Sequence, residues 1–187
     1  MGCSSMHTAY QRPQLGWGSS ITGFWYKRVG YIIPLLAQDK MDYSELEPHV
    51  IRAINMLYAR DSDLFSRDAS EWAIAHRLAV YLEYELPEWN VDCEYNRQGP
   101  GRDPKVRQNE EKVRPDIVLH HRGRVELDHN LLVIELKKVE TDSDLGKARE
   151  YTMVPAGSRT FQYQYGLALS VIGGLKLHWF TAGHEMS

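Results

Sequence analysis

Asp116, Glu135 and Lys137 are charged residues set at the ends of two apolar runs, Ile117-Val118-Leu119 and Leu131-Leu132-Val133-Ile134. Four consecutive apolar residues are typical of a strand buried on both faces, yet the second run continues directly into Glu135-Leu136-Lys137-Lys138. Side chains two apart on a strand share a face, so Glu135 and Lys137 point together while Leu136 points away. A neighbouring strand carrying Asp116 would bring two acids and one base to one spot. Two carboxylates about 4 Å apart repel by about 4 kcal/mol at an effective dielectric near 20, so a cation is expected between them. That is the outline of a metal-assisted hydrolytic site.

The surrounding elements can be read along the chain. Residues 1–40 hold Gly, Ser and aromatics without clear period, as in Gly16-Trp17-Gly18-Ser19-Ser20, and are expected to be either a flexible leader or sequence that is not part of the fold. Met41 is a sensible domain start, giving one domain over 41–187. Leu46, Val50, Ile54 and Leu57 repeat at helical spacing, with Pro48 expected in the first turn. A second helix is predicted through Trp72, Ala75, Leu78, Leu82 and Leu86, opened by Asp68 and Glu71 as a capping pattern and closed by Pro87. Asn90 to Tyr95 alternates as a half-exposed strand, and Gln98 to Lys112 reads as a long loop. The two runs that bear the charges form an antiparallel hairpin. Thr141-Asp142-Ser143-Asp144 offers N-caps for a short helix through Leu145, Ala148 and Tyr151. Two final strands, Phe161 to Ile172 and Leu175 to Phe180, flank Gly173-Gly174, a hairpin turn signal.

At 187 residues, 43% hydrophobic and 25% charged, the chain can bury a sizeable core. Its net charge of -3 does not advertise a nucleic-acid binder, but eight bases stand against four acids between Arg97 and Arg124. Cys3 and Cys93 form neither a disulfide framework nor a metal-binding spacing, which makes a reducing cytoplasm the default. No run approaches the roughly 18 apolar residues of a membrane span. The start Met1-Gly2-Cys3-Ser4-Ser5-Met6 misses a myristoylation signal at Met6.

Helix, strand, Pro115-Asp116 on the next strand, Glu135-Leu136-Lys137 on the one after, then a helix and more strand: this order resembles the PD-(D/E)XK nuclease superfamily over roughly Asp61 to Phe180. The resemblance implies an α/β fold with the restriction-endonuclease-like core, a central mixed sheet of about four to five strands flanked by helices. It implies a Mg²⁺-dependent endonuclease, with Mn²⁺ able to substitute, acting on DNA in preference to RNA. Asp116 and Glu135 would hold the ion, with the Leu136 backbone carbonyl as a further ligand, and Lys137 would orient the attacking water or stabilise transition-state charge. Glu71 would be an accessory acidic ligand, a role the capping pattern explains equally well. Arg97, Arg102, Lys105 and Arg107 would touch substrate phosphates, individually weakly and together with strong salt dependence. Glu94 is a weaker candidate near the site mouth, and Gln162 and Gln164 are guesses of the same kind. One cut per site means that duplex cleavage needs a homodimer or a partner protein.

Other classes fit parts of the pattern. Glu135 and Lys137 could be a strand-end salt bridge, weak and common. The fold could persist as a catalytically inactive nucleic-acid-binding or protein-interaction module, against which the complete Asp116, Glu135 and Lys137 set argues. His76 is expected to be packing or surface, and His120 and His121 lack ligand spacing.

Overall fold

The structure, a computed structural model, describes residues 41–97, 99–101, 103–106, 112–139, 142–156 and 161–186. The expected leader at 1–40 lies outside the described residues. Helix α1 (Tyr43–Arg60) opens on Asp42, whose side chain accepts from the Glu45 N–H while Glu45 reaches back to the Asp42 N–H, a complete capping box. The sequence reading placed Pro48 in the first turn. It lies in the second, where it removes one helical N–H, and the burial of Leu46, Val50, Ala53, Ile54 and Leu57 offsets that loss.

After the short α2 (Ser62–Ser66), α3 (Glu71–Glu85) buries Ile74, Ala75, Leu78, Ala79, Tyr81 and Leu82. The expected Asp68 and Glu71 cap is corrected here. Ser70 is the N-cap and accepts from the Ala73 N–H at 3.2 Å, while Asp68 turns away with φ +53. Glu71 is therefore the first helical residue, and its side chain does not close the cap.

Six strands follow: β1 (Asn90–Cys93), β2 (Ile117–His120), β3 (Asn130–Lys137), β4 (Tyr165–Ser170), β5 (Lys176–Thr181) and β6 (His184–Glu185). They form one sheet in sequence order, antiparallel except for β3 and β4, which run parallel through the intervening helix α4 (Asp142–Thr152). The expected α/β class and the mixed, helix-flanked sheet are present, with one strand more than the upper expectation. The addition is the two-residue β6, too short to carry a period. The predicted strand from Phe161 begins only at Tyr165.

The sheet separates two apolar layers. On one face Ile117, Leu119, Leu132, Ile134, Leu136, Leu167 and Leu169 pack with α1 and α3. On the other, Val118 and Val133 meet Tyr151, Phe161 and Tyr163, and Ala168 and Phe180 meet Ala148 of α4. This sandwiching explains the unbroken apolar run in β3, where seven of eight residues are buried. It also puts Glu135, which alternates with Ile134 and Leu136, on the α4 side.

Candidate active site

Four elements converge at the end of the hairpin where β2 starts and β3 finishes. Ile117 pairs with Ile134, and one further step of that antiparallel register sets Asp116 opposite Glu135. The proximity of the two acids, which the sequence reading had to infer from strand pairing, follows from this register. Glu135 is 4% exposed. Burial, together with the Asp116 charge, pushes its carboxyl up to about 8. Asp116 is also raised, because burial outweighs the hydrogen bond it accepts at Oδ2 from the Leu136 N–H at 2.7 Å. Glu94, exposed and at φ +49, donates its backbone N–H to the Asp116 carbonyl at 3.2 Å. It braces the Asp116 backbone.

The direction of the Leu136 carbonyl follows from its neighbour. The Lys137 carbonyl accepts from the Val171 N–H on the β4 side at 3.1 Å. Successive carbonyls of a strand alternate, so that of Leu136 is directed to the β2 side, where Asp116 lies.

Lys137 extends from the end of β3 and donates from Nζ to Glu71 Oε2 at 2.8 Å, while the Lys138 N–H donates to Glu71 Oε1 at 3.1 Å. Burial works against the Glu71 carboxylate, but these two bonds outweigh it and hold its pKa below the ordinary range. The same pair raises Lys137, again against a burial penalty, so it is a cation at neutral pH. Lys138 clamps the approach to α3 by donating to Asp68 Oδ1 at 2.5 Å. Glu71, Asp116, Glu135 and Lys137 thus belong to one cluster.

Helix α4 adds two residues that sequence reasoning missed. Asp144, 4% exposed, and Lys147 lie one turn apart, and the Lys147 ammonium is 3.8 Å from both Asp144 Oδ1 and Glu135 Oε2. Asp144 had been read only as one of several caps. The available signal was the i,i+3 acid and base pair on the inward side of a helix that follows Glu135 directly. A small recess beside them is lined by Lys137, Asp144, Ala168, Leu169 and Ser170.

Among the described residues of the basic loop, Lys105 and Arg97 stand apart from this cluster. Lys105 is 2% exposed, donates to the Tyr95 carbonyl at 3.0 Å and lies over the Tyr95 ring at 4.6 Å, and burial lowers its pKa to about 7. The expectation of a solvated phosphate contact is corrected: its methylene stem and ammonium belong to the packed interior. Arg97 is exposed and bridges Pro104, and it lines a recess with Lys105 and His120. In that recess His120 is the last residue of β2, whereas Asp116 precedes its first. Arg102 and Arg107 lie outside the described residues. Gln162 donates to the Thr152 carbonyl, and Gln164 precedes the start of β4, whereas the cluster lies near its end. His120 is bound to Asp92 at 2.9 Å, and His76 stacks on Trp72. Among the described residues, no three His, Cys, Asp or Glu side chains are placed to hold a metal by themselves, and no helix is long and apolar enough to cross a membrane. No protein-family model, curated protein or solved structure matches the chain.

Proposed function

We propose that the protein is a Mg²⁺-dependent endonuclease that hydrolyses phosphodiester bonds of DNA, on a restriction-endonuclease-like core of the PD-(D/E)XK type. The observation that carries this reading is the register that puts buried Glu135 opposite Asp116, with Lys137 two residues on and on the same strand face. The donor set suits the ion. Mg²⁺ takes hard oxygens and is commonly held by one or two carboxylates with waters and substrate phosphate, so two acids and the Leu136 carbonyl are sufficient without a third side chain. Bound there, the ion would supply Lewis-acid polarisation of the phosphate and lower the pKa of a water.

The remaining work belongs to the chain. Glu135, raised by burial, would release its proton to solvent on becoming a ligand. Lys137, held by Glu71, presents a fixed positive charge and hydrogen-bond donors that orient the attacking water and stabilise the charge developing on the phosphoryl oxygens. Glu71 acts through Lys137, as a positioning group. Duplex cleavage would use a homodimer or a partner protein, since one such site cuts one strand.

A second reading is favoured by two specific pairs. Lys137 with Glu71 and Lys147 with Glu135 already neutralise much of the acid, which suits a structural charge cluster or a binding module on the same fold. One paired assay separates the readings. Purified protein with Mg²⁺ or Mn²⁺ nicks plasmid or cuts labelled oligonucleotides, and Lys137→Ala abolishes cutting while the fold is retained. Cleavage by Lys137→Ala at the parental rate defeats the nuclease reading, and binding of oligonucleotides without any cutting establishes the module.

A further inference from the structure

Lys147 lies between two buried acids. Its ammonium is 3.8 Å from Glu135 on one side and 3.8 Å from Asp144 on the other, and the two carboxylate side chains are only 5% and 6% exposed. Water therefore does little to screen either acid, and the ammonium lies between them, with Lys137 a second cation that acts on both. Two-metal phosphoryl-transfer sites use a pair of cations to stabilise the attacking and leaving oxygens. Glu135 is placed to be shared between two such cations, with Asp116 on the β2 side while Lys147 approaches it from α4.

The helix is held in this position. Ala148, the neighbour of Lys147, is fully buried against Ala168 and Phe180. Ala168 is also the β4 partner of Glu135, so a small side chain flanks the acid in the sheet. A lysine head group is a compact point charge with three donors and makes no demand for octahedral geometry, so it can serve two acids that are poorly arranged to chelate an ion.

We propose that Lys147 is a built-in second cation: the site takes a single divalent ion, bound by Asp116, Glu135 and the Leu136 carbonyl, and Lys147 fills the position between Glu135 and Asp144. This rests on the nuclease reading and adds the metal count to it. Lys147 is a positioning residue. By neutralising Glu135 and Asp144 it leaves the charge of the one ion for the substrate phosphate.

The test counts ions on the full chain, with Mn²⁺ followed by the electron paramagnetic resonance of the free ion. Wild type binds one Mn²⁺. Lys147→Ala binds two, Lys147→Arg binds one, and Lys147→Ala combined with Asp144→Asn returns to one. Lys147→Gln, closer in volume, gives two as well and serves should the alanine variant fail to fold. Wild type binding no ion overturns the nuclease reading and this role with it. Wild type binding two, or folded Lys147→Ala or Lys147→Gln binding one, overturns the role of Lys147 alone.

Discussion

Asp116 lies one residue before β2, beside the Ile117 and Ile134 pair, where its Oδ2 accepts from the Leu136 N–H at 2.7 Å and its charge acts on Glu135; both carboxyls are raised, chiefly by burial. For Glu135 the consequence for stability has a definite sign. Between its ordinary value near 4.5 and about 8 the folded protein keeps a proton that the unfolded chain has released. Metal-free stability therefore falls as pH rises through that window, by at most about 1.4 kcal/mol per pH unit. Glu135→Gln keeps the shape, cannot ionise, and removes that component. Urea unfolding in chelator from pH 5 to pH 8.5 checks it, with a flatter profile expected for the variant. Mn²⁺ should raise the melting temperature of wild type and leave that of Glu135→Gln nearly unchanged. Equal slopes in the two proteins would refute the assignment.

Ser70 and Glu71 are adjacent but do different work, and their alanine variants should separate. Ser70→Ala loses the bond to the Ala73 N–H, at about 1 kcal/mol of stability, and leaves cleavage intact. Glu71→Ala removes a partly exposed ion pair, at about 0–1 kcal/mol, yet frees Lys137. Cleavage should fall at least about tenfold, the equivalent of losing 1.4 kcal/mol of transition-state stabilisation. Thermal melts run beside single-turnover cleavage distinguish the two patterns, and a Glu71→Ala enzyme that cuts normally would return Glu71 to a purely structural role.

Much of this is legible in the sequence, for physical reasons. The apolar run of β3 marked a strand buried on both faces, and the two-residue period then fixed which charges shared a face. The α1 stripe was an equally local signal, and Gly173-Gly174 marked the β4–β5 hairpin, although its connection is the five residues 171–175 and not the two-residue turn expected, because β4 ends at Ser170 and β5 starts at Lys176. What failed depended on competition between near-equal local solutions or on distant packing. Asp68 and Glu71 matched a capping pattern, but Ser70 supplied the cap and left Glu71 to Lys137, 66 residues away. Lys105 looked like one more loop base because nothing adjacent reveals that Tyr95 and Tyr163 enclose it. Asp144 and Lys147 acquired meaning only when α4 settled over the end of β3.

Lys105 gives a pH dependence of the opposite sign to that of Glu135. Burial lowers its pKa from 10.5 to about 7. Between those values the unfolded chain holds a proton that the folded protein has lost, so stability rises with pH across the window and this contribution is absent below about 7. Lys105→Met preserves most of the packing and removes the buried charge. The variant should exceed wild type by roughly 1–3 kcal/mol at pH 6, with the difference shrinking towards pH 10. Unfolding free energies at those two pH values decide the matter. A variant less stable than wild type at pH 6 would mean that the contacts with the Tyr95 carbonyl and the two rings outweigh desolvation.

Two glycines test whether the seating of α4 matters to the site. A Cβ at Gly166 would lie 2.3 Å from the Ala148 carbonyl oxygen and 3.0 Å from Thr152 Cγ2, so β4 and α4 approach there more closely than any side chain permits. The nearer atom is helix backbone and cannot rotate aside. Gly166→Ala must push α4 away from the sheet, at about 1–3 kcal/mol for overpacking, and it carries Lys147 away from Glu135. Gly146, in the same helix, has open space around its Cβ position. Gly146→Ala should therefore stabilise by roughly 0.5–1 kcal/mol through helix propensity alone. If α4 contributes only stability, cleavage at a temperature where both variants are folded will equal wild type in each. If it positions Lys147, Gly166→Ala will lose activity and bind Mn²⁺ differently while Gly146→Ala does neither.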